Sequence, residues 1–223
     1  NPVDEAYKSY WKAIELDPFF KMAYNDLAYS FDELGNSEKS IWAINKYISL
    51  APGEANPYDT RGDLYAKHGK LSEAADSYRH ALAIKPDFYE SLEKLGQISA
   101  YLKEYATADS CFESLTLSGN RNWRYYGEVD LIYLARNQGR FNASLSRFNG
   151  ILKAVDGDSE FEGMVCELLQ ERSMQYAMMN NFPVAIRDAE RSVKRLLKDK
   201  VNGPVYGRQW YGSVLARSND LQK

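Results

Sequence analysis

The sequence predicts an all-α fold in which antiparallel helix pairs stack as an α-solenoid of about twelve helices. Prolines suited to closing helices recur every 34 residues, at Pro18, Pro52 and Pro86. The turn glycines Gly35 and Gly69 keep the same interval. Between these landmarks, apolar and small residues recur at spacings typical of amphipathic helices. A fixed interval of this kind indicates a repeat protein, in which each helix pair buries its apolar face against its neighbours.

The segment from Asn56 to Asp87 shows the pattern most clearly. Its packing landmarks are Tyr58, Gly62, Tyr65, Ala74, Tyr78, Ala81 and Pro86. This order resembles the tetratricopeptide signature W-x2-L-G-x2-Y…A-x3-F…P. Arg61 departs from the signature, because a cation stands where leucine is usual. The resemblance implies a right-handed superhelix of helix pairs, similar to the repeat arrays of larger bacterial proteins.

The chain reads in order as half a unit, five units and half a unit, within one solenoid over residues 1–223. The predicted divisions are a half unit at 3–20, clear repeats at 21–54, 55–88 and 89–122, degenerate repeats at 123–157 and 158–202, and a half unit at 203–223. Neither end resembles the polar cap that solenoids usually carry. We therefore expect the ends to self-associate and the chain to be part of a longer protein.

Composition excludes several classes of protein. The 223 residues are 44% apolar and 26% charged, which is ordinary for a folded domain. A formal net charge of −3 argues against nucleic-acid binding, which needs a concentrated basic surface. No apolar run reaches the roughly 18 residues of a membrane span, and no signal peptide is present. Localisation is left open, with the cytoplasm favoured.

Residues with catalytic or metal-binding potential do not form a recognisable site. His68 and His80 lack a third ligand at metal spacing, and no nucleophile elbow or phosphate loop occurs. Asp156, Asp158 and Glu160 lack the later ligands of a calcium loop, so we expect an acidic linker that caps the next helix. Cys111 and Cys166, without metal spacing, are predicted to be buried and reduced. The sequence predicts no enzyme activity, cofactor or metal.

The resemblance implies that the first helices of the repeats line a concave groove that binds a peptide or partner protein. Residues between the packing positions are expected to face this groove. They are Asn25, Asp26, Tyr29, Asp32, Glu33, Asn56, Asp59, Asp63, Glu90, Glu93, Gln97 and Tyr101. Seven acids in this set oppose only Lys67 and Lys94, and an acidic groove favours a basic segment. Asp59 and Asp63 are the predicted centre of the site.

These observations favour a non-enzymatic scaffold for protein–protein interactions. One alternative is the interaction or sensing arm of a larger bacterial regulator, because unit endings such as IELDP and AIKPD are similar to repeats attached to kinases or transcription factors. A second is a solenoid that binds a small ligand, suggested by the aromatic residues of 122–133 and 206–211.

Overall fold

The computed structural model describes residues 2–198, with the side chains of 7–197. The described residues form eleven α-helices and one short 3₁₀-helix, with no strand among them, which confirms the all-α prediction. The helices are α1 (Pro2–Leu16), α2 (Lys21–Glu33), α3 (Ser37–Leu50), α4 (Asn56–Lys67), α5 (Leu71–Ile84), α6 (Tyr89–Tyr101), α7 (Tyr105–Thr116), α8 (Arg121–Asn137), α9 (Phe141–Val155), α10 (Glu162–Met178) and α11 (Phe182–Lys198). The 3₁₀-helix, Ser159–Phe161, precedes α10. The half unit predicted at 203–223 lies outside the described residues.

The chain divides into two compact units, Asn1–Gly127 and Glu128–Lys223, here called unit 1 and unit 2. In unit 1, α2 pairs with α3, α4 with α5 and α6 with α7. Each pair then packs against the next, since α1 contacts α2, α3 contacts α4, and α5 contacts α6. In unit 2, α9 contacts α10, and α10 pairs with α11. Successive packing of this kind is the architecture that the 34-residue period predicts.

The turns inside the helix pairs share one geometry. Gly35 and Gly69 adopt φ angles of +74° and +73°, which side chains disfavour and glycine accepts freely. The residue after each glycine donates its N–H to the carbonyl five residues earlier, as Asn36 does to Phe31 at 2.8 Å. Lys103 takes the equivalent conformation at φ 64° in the turn where the sequence offers no glycine. The turn is therefore set by the helix packing on both sides of it.

Close approach of helices in unit 1 depends on glycines that face aromatic rings. A Cβ atom added to Gly62 would lie 2.4 Å from Cε1 of Tyr78, and one added to Gly96 would lie 2.4 Å from Cε1 of Phe112. Both rings are buried, with 2% and 1% of their surface exposed. The glycine and aromatic landmarks of the sequence thus form the contact between the two helices of a repeat.

Arg61, the departure from the repeat signature, links neighbouring helices instead of filling a leucine site. Its Nε donates to Ser77 Oγ at 3.2 Å and its Nη1 donates to Asn45 Oδ1 at 3.1 Å. The guanidinium also lies 5.3 Å from the ring centroid of Tyr58. The aliphatic stem of a long cationic side chain can pack against neighbouring residues in the way a leucine does. The helix pair is therefore kept although arginine replaces leucine.

Unit 2 contains buried polar side chains where the repeat motif becomes weak. Gln175 is fully buried, accepts a hydrogen bond from Ser144 Oγ and donates one to the carbonyl of Phe141, each at 2.8 Å. Arg172 binds the buried Asp188 through two N–H groups at 2.8 Å. Buried polar groups of this kind require their partners to be in place. Hydrogen bonds therefore replace part of the apolar pattern that defines the earlier repeats.

The acidic linker after α9 is a structural element. Asp158 accepts the N–H of Glu160 at 3.0 Å and so caps the 3₁₀-helix. Asp156 pairs with Arg191 and Arg195 of α11, and Arg195 also binds Glu162. No group of three potential metal-ligating residues occurs within 2–198.

Both cysteines are buried and free, as the sequence predicts. Burial raises the pKa of the Cys111 thiol to about 11, which keeps it protonated near neutral pH. None of the described helices is long and apolar enough to cross a membrane.

Candidate partner-binding surface

The first helices of the three repeats in unit 1, α2, α4 and α6, lie side by side. Polar side chains 35 residues apart join them: Thr60 Oγ1 donates to Asn25 Oδ1 at 3.1 Å, and Lys67 pairs with Asp32. Lys94 in turn lies 2.9 Å from Asp59 Oδ2. A separation of one repeat plus one residue therefore places side chains next to each other on adjacent first helices. We call the exposed side of α2, α4 and α6 the first-helix surface.

Lys94 is the centre of an ionic cluster on this surface. Its Nζ lies 2.9 Å from Asp59 and 2.8 Å from Asp63, while Ser91 Oγ donates to Asp59 at 2.7 Å. Tyr78 reaches the cluster from α5 and donates its hydroxyl to Asp63 at 2.8 Å. Burial would lower the pKa of Lys94, but the hydrogen bonds and charges of Asp63 and Asp59 raise it. The lysine is therefore held in its charged form.

A second cluster surrounds Asp32, whose side chain is only 2% exposed. Lys67 binds one carboxylate oxygen, and His68 Nε2 lies 2.6 Å from the other. Burial would raise the pKa of Asp32, but the hydrogen bonds and charges of Lys67 and His68 lower it below its ordinary value of 3.8. This cluster ties the end of α2 to the end of α4.

These two clusters change the interpretation of the predicted site. Asp32 and Asp59 are each 7% exposed, so they lie below the surface, and Asp63 is half-buried beside Lys94. All three carboxylates have partners within the chain. The partners His68, Ser91 and Tyr78 and the pairing of Lys67 and Lys94 were not predicted from the sequence. Of these contacts, only Lys67–Asp32 and Lys94–Asp59 have the 35-residue separation, so this spacing could have indicated those two.

The remaining predicted residues are accessible to a partner. Tyr29 is 40% exposed and Tyr101 is 77% exposed. The others that are exposed are Glu33, Asn56, Glu90 and Gln97, and those that are half-buried are Asn25, Asp26 and Glu93. Burial raises the pKa of Glu93, and the positive charge of Lys94 partly opposes this shift. The negative charge of Glu90 raises the pKa further. Glu90 and Glu93 are thus close enough to repel each other.

The aromatic stretch at 122–133 contributes to packing in unit 1. The ring of Trp123 lies 6.0 Å from that of Tyr89 and 5.7 Å from that of Tyr126. Gly127 makes the closest approach of α8 to α7, since an added Cβ atom would lie 2.7 Å from the backbone oxygen of Phe112. The second aromatic stretch, at 206–211, lies outside the described residues.

Comparisons with known proteins identify two of these repeats. Tetratricopeptide-repeat models match residues 55–88 and residues 9–41. The chain therefore contains tetratricopeptide repeats. It is similar to tetratricopeptide repeat protein 16 of Mus musculus, with 28% identity over 142 residues, and to a TPR repeat-containing protein of Methanocaldococcus jannaschii, with 25% identity over 146 residues. These matches span 55% and 60% of this chain but only 18% and 26% of the relatives.

Solved structures share the fold of this tetratricopeptide-repeat protein at low sequence identity. A tetratricopeptide repeat protein from Parabacteroides merdae superposes with a TM-score of 0.67 at 17% identity, covering 98% of this chain and 86% of the other. YrrB, described as a TPR protein with an unusual peptide-binding site, gives 0.58 at 18% identity over 85% of this chain and 93% of its own. The Cut9–Hcn1 hetero-tetramer of APC/C gives 0.60 at 19% identity, over 96% of this chain and 40% of the other.

The family assignment supports the general part of the predicted function. Tetratricopeptide repeats are generally non-enzymatic scaffolds for protein–protein interaction, and their partners are proteins or peptides. A fold alone does not specify the partner, because the same architecture presents different side chains in different chains. The kind of partner is therefore inferred from the side chains of the first-helix surface.

The Asp32 cluster makes stability depend on acid pH. Because its pKa is lowered in the folded protein, Asp32 stabilises the fold above its unfolded pKa near 3.8, and this contribution is lost as pH falls through the folded pKa. We expect Asp32→Asn to lower the urea midpoint at neutral pH, and the difference from the wild type to shrink below about pH 4. Urea denaturation followed by circular dichroism across this pH range measures it. Asp26→Asn, on the same helix without an ion pair among the described side chains, is the matched control and should show a smaller difference at every pH.

Proposed function

We propose that the first-helix surface of unit 1 binds a basic, extended segment of a partner protein. The main support for this proposal is that Lys67 and Lys94 form ion pairs within the chain, with Asp32, Asp59 and Asp63. Asp26, Glu33, Glu90 and Glu93 have no ion pair within the described part of the chain. Their negative charge is therefore available to a cation from outside.

The positions of these acids support contact along two helices. Asp26 and Glu33 stand three and four residues from Tyr29 on α2, so the three share one helical stripe. On α6, Glu93 and Tyr101 stand four residues on either side of Gln97, which gives a second stripe of the same kind. An exposed tyrosine ring beside a carboxylate attracts lysine or arginine through its π-face as well as through charge, adding about 0.5–1 kcal/mol at exposed sites.

The ionic clusters support binding by holding the surface rigid. Lys94 and Lys67 fix the relative positions of α2, α4 and α6 before a ligand arrives. Preorganisation of this kind reduces the entropy lost on association. Asp59 and Asp63, the centre of the site in the sequence prediction, are thus proposed to position the surface while the exposed acids contact the partner.

Charge reversal of exposed acids tests the proposal. Glu33→Lys combined with Glu90→Lys is expected to weaken binding of a fluorescein-labelled peptide of alternating Lys and Ser by at least about tenfold, because each change replaces attraction by repulsion. Fluorescence anisotropy at low salt, where screening is weak, measures the affinity. A peptide of the same length with alternating Glu and Ser should bind the wild type at least about tenfold more weakly than the Lys–Ser peptide.

The matched control carries the same change of net charge on second helices. Glu15→Lys with Glu73→Lys alters two exposed acids, on α1 and α5, and should leave the affinity for the Lys–Ser peptide within about twofold of the wild type. Equal losses in both double variants would show that the peptide responds to overall charge, and the proposed surface would be rejected. The predicted self-association and a role as the arm of a larger regulator remain separate predictions.

A further inference from the structure

Two cavities lie beside the first turns of α3, and the smaller one borders the Asp32 cluster through His68. The larger, of about 440 Å³, is lined by Trp11, Phe31 and Trp42 together with the polar Asn36, Glu38 and Lys39. The smaller, of about 300 Å³, is lined by Ile41 and Tyr65 together with Ser37, Glu38, His68 and Lys70. Glu38 is common to both, so α3 forms the wall between them.

The larger cavity presents stacked aromatic surface that the core leaves exposed. The rings of Trp11 and Trp42 lie 6.0 Å apart at an interplanar angle of 24°. The ring of Tyr24 packs edge-on against that of Trp42, with the ring centroids 6.3 Å apart. Trp42 nevertheless keeps 40% of its surface exposed, whereas Phe31 at the base of the cavity is 4% exposed. Such a site has room and apolar area for a bulky side chain.

Two lysines without carboxylate partners border the cavities. Lys39 Nζ lies 5.6 Å from the ring centroid of Phe31, and Lys70 Nζ lies 5.9 Å from that of Tyr65. Neither forms an ion pair with another side chain described in the structure, whereas Lys21, Lys67 and Lys94 all do. Among the described residues that line the cavities, Glu38 is the only acid. The charge at this rim therefore favours a ligand with acidic groups.

We propose that these two cavities form a second docking site, which takes a short acidic segment of a partner protein with bulky apolar side chains at positions i and i+3. The apolar side chains enter the two cavities, and the acidic residues between them pair with Lys39 and Lys70. The site lies at the turn between α2 and α3, and it is independent of the basic segment proposed for the first-helix surface.

The spacing of the ligand follows from the width of α3. The α3 residues that line the two cavities are neighbours in sequence, Ile41 for the smaller and Trp42 for the larger, so the cavities lie on adjacent faces of one helix. A polyproline II segment rises about 3.1 Å per residue and has three residues per turn. Residues i and i+3 then point to the same side, about 9 Å apart, a distance comparable with the roughly 10–12 Å width of one helix.

The probe is a fluorescein-labelled peptide, Gly-Leu-Glu-Glu-Leu-Gly, compared with the neutral Gly-Leu-Gln-Gln-Leu-Gly. We expect the acidic peptide to bind at least about tenfold more tightly than the neutral one by fluorescence anisotropy at low salt. Lys39→Gln with Lys70→Gln should remove most of this preference, while Glu38→Gln should strengthen binding of the acidic peptide severalfold. Moving the second leucine one residue further along should weaken binding.

Matched variants separate this site from general charge effects and from the first-helix surface. Lys46→Gln with Lys85→Gln removes the same charge elsewhere, and Lys85 also lies over an aromatic ring, that of Phe88 at 5.0 Å. This control and Glu90→Lys should both bind the acidic peptide as the wild type does. Tighter binding of the neutral peptide, absence of binding by the acidic peptide, or equal losses in the two double-lysine variants would each overturn the proposal.

Discussion

Gly62→Ala is expected to lower the free energy of unfolding by about 1–3 kcal/mol, the usual cost of overpacking a buried contact. The added methyl group meets the ring of Tyr78 at 2.4–2.8 Å. That ring is 2% exposed, and its hydroxyl is fixed by the hydrogen bond to Asp63, so it has no free direction in which to move. The overlap between the methyl group and the ring is therefore relieved only if α4 and α5 move apart, which also disturbs the Lys94 cluster. Urea denaturation followed by circular dichroism measures the loss.

Gly150→Ala is the matched control for this glycine substitution. Gly150 lies inside α9, and a Cβ atom there meets no other atom within 4 Å. Alanine should stabilise this helix by up to about 1 kcal/mol, since it loses less backbone entropy than glycine on folding. If both substitutions shift the urea midpoint in the same direction, the close contact with Tyr78 does not determine the effect at Gly62.

Lys94→Met is expected to destabilise the protein by about 2–4 kcal/mol, somewhat less than the loss of a fully buried ion-pair partner because the lysine is partly exposed. Methionine retains the apolar stem but leaves Asp59 and Asp63 without their cation. Leaving Asp59 without a cation costs more free energy than leaving Asp63 without one, because the side chain of Asp59 is 11% exposed, whereas that of Asp63 is 33% exposed. Thermal and urea denaturation of the variant measure the change.

Rescue by neutral side chains tests the cause of this loss. Adding Asp59→Asn and Asp63→Asn to Lys94→Met removes the uncompensated charges, and part of the lost stability should return. Lys46→Met, at an exposed position of α3, should change stability by less than about 0.5 kcal/mol. A triple variant no more stable than Lys94→Met would indicate that packing around the lysine stem, and not charge, dominates.

The repeat period predicted local structure well because it reflects contacts within one helix pair. Tyr78 and Phe112 recur 34 residues apart, and each packs against a glycine of its own repeat. The helices that follow the loop at Gly119 and the turn at Gly139 begin at Arg121 and Phe141. Hydrogen bonding in the turns and the size of a glycine are local properties, so a single unit of sequence contains them.

The weak repeats show where this local information ends. At a position of α8 where the repeat signature usually has a small residue, Ile132 is buried with 1% of its surface exposed. The close approach of helices occurs instead at Gly127, against the backbone of α7. In unit 2, the buried Gln175 depends on partners 31 and 34 residues earlier. Such substitutions are compensated by distant residues, which periodicity within one unit does not reveal.

The sequence by itself determined the all-α repeat architecture, the helix pairs of unit 1 and the excess of acids on the first helices. Only the tertiary structure decided which acids are available. Asp59 and Asp63 pair with Lys94, while Glu33 and Glu90 remain exposed. The physical reason is that charge neutralisation depends on distances of a few ångströms between side chains more than 30 residues apart. The order of residues fixes each helix face, and the packing of adjacent repeats fixes which charges meet.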